Sequence, residues 1–255
     1  MWGFFAVLRT AALGILRHVC PREQHPSLPA SLLNYTNPKG TFVSNFRKEC
    51  FFRCPGCVMI EAQEETYMNS MKKLAVIFPG VGYHTDKPLL YYSKKIAAQN
   101  GYEIREVPYG NFPKGVKGSK EKMEEVFFSA VRQSEEILKD VDFSLYDDIL
   151  FLSKSVGTAV ASAYGGKHGL NTRNIYYTPV EASFQFMTQP GIAFTGTADS
   201  WVDWHVVQEG CEKGGFPLYV IDGADHSLET GNVAEDLENL QDIMKKTEDY
   251  IKDCR

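Results

Sequence analysis

The sequence predicts an α/β protein over residues 71–255, a three-layer α/β/α sandwich around a mostly parallel six-stranded sheet. Three observations predict it. Six short apolar runs lack polar alternation, the pattern of strands covered on both faces. Stretches with helical periodicity lie between most of these runs, which is the βα alternation of a parallel sheet. Three of the runs also end in small-residue loops that carry a serine, an aspartate and a histidine. In such sheets chemistry gathers at the carboxyl ends of strands.

The first run is Leu74 to Phe78, followed by the glycine-containing segment Pro79-Gly80-Val81-Gly82. A helix is expected from Pro88 to Gln99, with proline in its first turn and Asn100-Gly101 as its stop. The second strand is expected at Tyr102 to Val107. Glu121 to Lys139 reads as a charged amphipathic helix whose apolar stripe includes Met123, Val126, Phe127, Val131, Ile137 and Leu138. Asp148 to Leu152 is the third strand, and the Ala-rich Thr158 to His168 is a helix stopped at Gly169. Strands follow at Asn174 to Thr178, Ile192 to Thr195 and Leu218 to Ile221, and the helix Val233 to Ile251 closes the chain.

The segment Ser153-Lys154-Ser155-Val156-Gly157 lies between the third strand and the Ala-rich helix. A tight strand-to-helix turn lifts a serine clear of the sheet and aims the following N–H groups at whatever it attacks. Small neighbours are required there, and Ser153 and Gly157 meet that need. A serine at this position also serves as a plain helix N-cap. A nucleophilic serine needs a base, and the base needs a carboxylate to orient it. Gly196-Thr197-Ala198-Asp199 and Asp222-Gly223-Ala224-Asp225-His226 each follow their own strand and supply those residue types. Ser155, Asp199 and His226 are therefore the candidate catalytic residues.

With Phe78-Pro79-Gly80-Val81-Gly82, Ser153-Lys154-Ser155-Val156-Gly157, Gly196-Thr197-Ala198-Asp199 and Ala224-Asp225-His226-Ser227-Leu228, the chain from Lys72 to about Lys252 resembles small, lidless α/β-hydrolases of the dienelactone-hydrolase-like and carboxylesterase-like group. The resemblance implies nucleophile, acid and base roles for Ser155, Asp199 and His226, and strand order 2-1-3-4-5-6 without a cap domain. It also implies an oxyanion hole from the N–H of Val156 and one of Val81 or Gly82. Two departures stand out: Pro79 replaces a histidine common before that glycine, and Ser155 stands where dienelactone hydrolases carry cysteine. The expected function is hydrolysis of a small ester, thioester or similar acyl substrate. A hydrolase-fold binding protein without turnover, and an acyltransferase or peptidase using the same triad, remain open alternatives.

Only about a dozen residues separate Thr178 from Ile192, where larger relatives insert a cap, so an open site is expected. Tyr83, His84, Tyr109, Phe112, Phe184 and Trp201 are candidate pocket residues, although aromatics also serve as core and His84 also reads as an exposed loop residue. Asp203 and Asp225 are rival acids. Asp203 is expected inside the following helix, and Asp225 abuts the base. Lys154, in the variable position of the turn, admits a role in attracting an acidic substrate but is expected to point outward. Residues 71–255 hold no metal-ligand constellation and no phosphate loop, so no cofactor or metal is expected.

Residues 1–70 differ in character. They hold Cys20, Cys50, Cys54 and Cys57 and lack strand or helix periodicity, reading as a poorly structured extension. Met1 to Leu16 admits a signal or anchor reading, but Arg9 interrupts it and no stretch reaches the roughly 20 apolar residues of a membrane span. Cys50, Cys54 and Cys57 admit a zinc site with Cys20 or His25, and the acid-free, Arg-containing start admits a transit peptide. The expectation adopted is that Glu64-Glu65-Thr66-Tyr67 is encoded by a bacterial ribosome-binding stretch, so that translation begins at Met68 or Met71 and residues 1–67 are upstream sequence.

From residue 71 onward Lys and Arg number 20 against 27 for Asp and Glu, a net charge of −7 that argues against nucleic acid as a partner. Only Cys211 and Cys254 remain there, consistent with a reducing cytoplasm. The expected partner is a small acyl substrate, with no membrane involved; oligomeric state is left open.

Overall fold

The computed structural model describes residues 71–253. The cysteine cluster at residues 20–57, the Met1 to Leu16 segment, the Met68 start and Cys254 lie outside the described residues. Eleven longer elements alternate along the chain: β1 Lys73–Phe78, α1 Pro88–Gln99, β2 Tyr102–Glu106, α2 Lys120–Leu138, β3 Asp148–Lys154, α3 Val156–Lys167, β4 Arg173–Tyr177, β5 Gly191–Gly196, α4 Trp204–Gly214, β6 Leu218–Ile221 and α5 Val233–Lys252. The six strands form one parallel sheet in the order β2-β1-β3-β4-β5-β6.

Each strand divides its apolar residues between two faces because successive side chains alternate. Ala75, Ile77, Leu150, Leu152, Ile175 and Tyr177 face α1 and α5, where Leu89, Leu90, Ala97, Ile243 and Ile251 meet them. Leu74, Val76, Phe78, Ile149 and Phe151 face α2 and α3, against Val126, Ala130, Leu138, Val160 and Ala161. Tyr176 and Ala193 pack on Val207 and Cys211 of α4. Three fully buried hydroxyls tie the first layer together: Tyr177 Oη lies 2.8 Å from Ser93 Oγ on α1 and 2.6 Å from Thr247 Oγ1 on α5.

Two boundaries differ from the sequence reading in a way that matters for the site. Strand β3 continues two residues past Leu152, because Ser153 and Lys154 are buried and pair with Tyr176 and Tyr177 of β4. Helix α3 begins at Val156, two residues before Thr158, so strand and helix are separated by Ser155 alone. Asp203 is the N-cap of α4 rather than an interior residue, its carboxylate accepting from the His205 N–H at 3.0 Å.

Between β4 and β5 the chain makes only a 3₁₀ turn, Glu181–Ser183, so no cap is inserted there. The order reverses between β1 and β3, which places a crevice at their carboxyl ends.

Candidate active site

Ser155 occupies φ 56° and ψ −128°, a backbone conformation that only glycine adopts without strain. The surrounding structure holds it there. Its N–H donates to the Tyr177 carbonyl at 2.9 Å, and its own carbonyl accepts from the Thr158 N–H at 2.9 Å and the Thr158 hydroxyl at 2.6 Å. A side chain at Gly157 would place Cβ 2.3 Å from the Phe78 carbonyl oxygen and 2.4 Å from that of Pro79. Glycine there lets α3 pass against the end of β1. Ser153 fits in place of glycine because it is fully buried with its hydroxyl donating to the Ile175 carbonyl at 3.2 Å.

The segment after β1 closes over this turn. Gly80 and Tyr83 exchange backbone hydrogen bonds, Gly80 N–H to Tyr83 O at 3.1 Å and Tyr83 N–H to Gly80 O at 3.3 Å. Val81 and Gly82 form the tip, with Gly82 at φ +72°. A Cβ on Gly80 would stand 3.1 Å from Ser155 Cβ, so this backbone runs beside the serine. Val81 is half-buried and Gly82 exposed. The Val156 N–H lies in the first turn of α3, where helix geometry provides no internal acceptor.

Asp199 and His226 reach the serine from two further loops. A Cβ on Gly196 would fall 2.1 Å from the Ala224 carbonyl oxygen, and the Ala198 N–H donates to that oxygen at 2.9 Å. The loops after β5 and β6 are thereby clamped together. Asp199 Oδ2 lies 2.6 Å from His226 Nδ1, and His226 Nε2 lies 2.8 Å from Ser155 Oγ. The other oxygen, Asp199 Oδ1, accepts from the N–H groups of Trp201 at 2.8 Å and Val202 at 3.4 Å. Asp225 shapes the histidine loop instead, its Oδ1 accepting from the N–H groups of Ser227 at 2.6 Å and Glu229 at 3.2 Å. Of the three acids weighed, Asp199 is the one that meets the imidazole.

The electrostatics suit a neutral base. Burial drives the His226 pKa below its ordinary value; the Asp199 carboxylate works the other way, and the Lys154 charge reinforces the depression. Burial opposes ionisation of Asp199, but hydrogen bonds from His226, Trp201 and Val202 outweigh it and hold the carboxyl below the usual range.

The remaining sequence candidates fall in different places. Trp201 stacks on His226 with ring centroids 5.4 Å apart. Tyr83 is buried, and its Oη accepts from the Leu89 N–H at 3.2 Å. His84 is exposed, and its Nδ1 accepts from the Asp86 N–H at 3.3 Å. Tyr109 is buried with its hydroxyl donating to the Pro79 carbonyl, and its ring lies 5.9 Å from that of Phe112. Phe184 packs on α4 at Gly210. A cavity of about 270 Å³ lies between the start of α1, the residues just after His226 and the start of α5, walled by Leu89, Leu228, Val233, Leu237 and Leu240.

Lys154 corrects the sequence reading. It does not point outward: it is 3 % exposed, with Nζ 4.7 Å from the centroid of the Tyr83 ring. The signal was its parity with Leu150 and Leu152, which sends it toward the apolar α1/α5 face once the strand is seen to continue. Lys117 was not anticipated; its ammonium lies 5.4 Å from the Trp201 ring and donates to Ser200 Oγ at 2.8 Å. No group of three His, Cys, Asp or Glu among the described residues is placed to hold a metal.

No known family profile and no curated protein sequence matches the chain. Solved structures do. An alpha-beta serine hydrolase homologue from Coxiella burnetii is 15% identical, with a TM-score of 0.51 over 69% of this chain and 84% of that one. Est1E from Butyrivibrio proteoclasticus, seen with ferulic acid bound, is 12% identical, with a TM-score of 0.53 over 72% of this chain and 90% of that one. At these identities the likeness establishes the fold, that of the α/β-hydrolases.

Proposed function

We propose that this α/β-hydrolase-fold chain is a serine hydrolase that cleaves a small ester, thioester or similar acyl substrate through an acyl-enzyme on Ser155. The unbroken line of hydrogen bonds from Asp199 through His226 to Ser155, at a strained strand-to-helix turn, carries the reading. His226 Nε2 takes the hydroxyl proton as Ser155 Oγ attacks the carbonyl carbon, and the imidazolium then protonates the leaving group. Asp199 fixes the tautomer by accepting from Nδ1–H. The same imidazole next activates water, which attacks the acyl-serine and releases the acid. The Val156 N–H, backed by the α3 dipole, is one donor to the oxyanion, and the N–H of Val81 or Gly82 is the other; one such donor contributes about 3 kcal/mol. The short β4–β5 connection favours a small or accessible acyl group.

The test is hydrolysis of p-nitrophenyl acetate and butyrate by the full chain and three variants. Ser155→Ala is expected to lower kcat by about 10⁶-fold and Asp199→Asn by about 10⁴-fold. His226→Ala should approach the serine variant. Turnover that survives Ser155→Ala overturns the proposal.

A further inference from the structure

Lys154 is a buried amine that the acyl-transfer steps do not use. Its stem lies under the turn after β1: a Cβ on Gly80 would stand 3.2 Å from Lys154 Cδ. Its ammonium sits on the Tyr83 face at 4.7 Å, and Tyr83 closes that turn by its backbone bonds to Gly80. The titratable groups in electrostatic reach come from three loops: Tyr83 after β1, Asp199 after β5, and Asp225 and His226 after β6, with Glu229 acting on Tyr83. No side chain accepts a hydrogen bond from Lys154 Nζ among the described residues, so the cation is held by a ring face and by the carboxylates' field. A plain structural role would be served better by an apolar side chain, because burying an ammonium costs stability.

Taking the serine-hydrolase reading as its premise, we infer that Lys154 is a positioning residue for the oxyanion site, bracing the Gly80–Tyr83 turn from beneath and holding a positive charge under the segment that supplies the second oxyanion donor. The charge acts twice. It favours the developing oxyanion, and it opposes protonation of His226, keeping the base neutral to lower pH.

Burial lowers the Lys154 pKa to about 7, with Asp199 and Asp225 working the other way. The ammonium is therefore present below about pH 7 and lost above it. Reactivity of Ser155 should rise as His226 deprotonates and fall again as Lys154 does, giving a bell. Stability has the opposite trend: between about pH 7 and the unfolded lysine's value of about 10.4, the unfolded chain holds the extra proton, so Tm should rise with pH.

The experiment is the second-order rate of labelling by a fluorophosphonate, followed from pH 5 to pH 9.5 on the full chain, with Tm measured across the same range. Wild type is expected to show the bell. Lys154→Met should lose the alkaline limb, react roughly ten- to thirty-fold more slowly at pH 6, and show a His226 limb displaced to higher pH. Its Tm at pH 6 should exceed that of wild type. Lys154→Arg keeps the charge and should hold its rate beyond pH 8. A wild-type rate that keeps climbing from pH 7 to pH 9 overturns the inference without reference to any variant. A Lys154→Met profile of unchanged shape and uniformly lower height also overturns it, since bracing alone would do that. A wild type that does not label at all overturns the hydrolase reading itself, a result distinct from either.

Discussion

Ser155 is held at φ 56° by bonds to Tyr177 and Thr158, and strain of this kind costs about 1–3 kcal/mol. Glycine adopts the conformation freely, so Ser155→Gly is predicted to raise Tm by roughly 2–4 °C, while Ser155→Ala leaves it nearly unchanged. Thermal melts of the two variants check this. A Ser155→Gly protein no more stable than Ser155→Ala would mean that the turn stores no strain. The three candidate catalytic residues were legible because each type stands just past its own apolar run. Lys154 was not, since the sequence places it in the variable position of a turn, and only the length of β3 reveals which face it takes. The pocket aromatics were legible by type alone: Trp201 and Tyr109 read alike in sequence, yet one stacks on the imidazole and the other is sealed under Pro79.

The β3–α3 unit delivers the serine, and its fit against β1 depends on Gly157. Gly157→Ala places Cβ against two carbonyl oxygens of β1 and its following residue, with no flexible side chain to yield. A loss of about 3 kcal/mol is predicted, read as a lower denaturation midpoint, together with loss of labelling at Ser155. Wild-type stability in this variant would show that the two elements separate without cost. Element existence was readable from apolar runs and helix stops, and α1 matches its expected bounds because proline and Asn100-Gly101 punctuate it. The start of α3 lies two residues before the expected Thr158, because Val156 and Gly157 carry no helix-start signal beyond the serine itself.

Across the molecule the two edges of the sheet divide the work. The carboxyl edge holds Ser155, Asp199 and His226. At the amino edge Arg173, opening β4, is paired with Asp148 of β3 at 3.1 Å and donates to the carbonyls of Tyr250 at 2.7 Å and Ile251 at 3.1 Å, fastening the end of α5. Arg173→Met is predicted to cost about 3 kcal/mol by leaving Asp148 without this partner, and to leave kcat/KM unchanged at temperatures where the variant stays folded. A chemical melt and an ester assay on one preparation separate the two effects. The layer order follows from which apolar runs lie between which helices, so the parallel sandwich was legible. The strand order came through resemblance to known hydrolases, because periodicity does not say which strands are neighbours. No helix among the described residues is long and apolar enough to cross a membrane.

The most direct test of the central claim is peptide mapping after treatment of the full chain with a fluorophosphonate. One adduct is expected, on the peptide carrying Ser155, at a rate that falls sharply in His226→Ala. An unlabelled protein that is correctly folded, or an adduct on another residue, would contradict it.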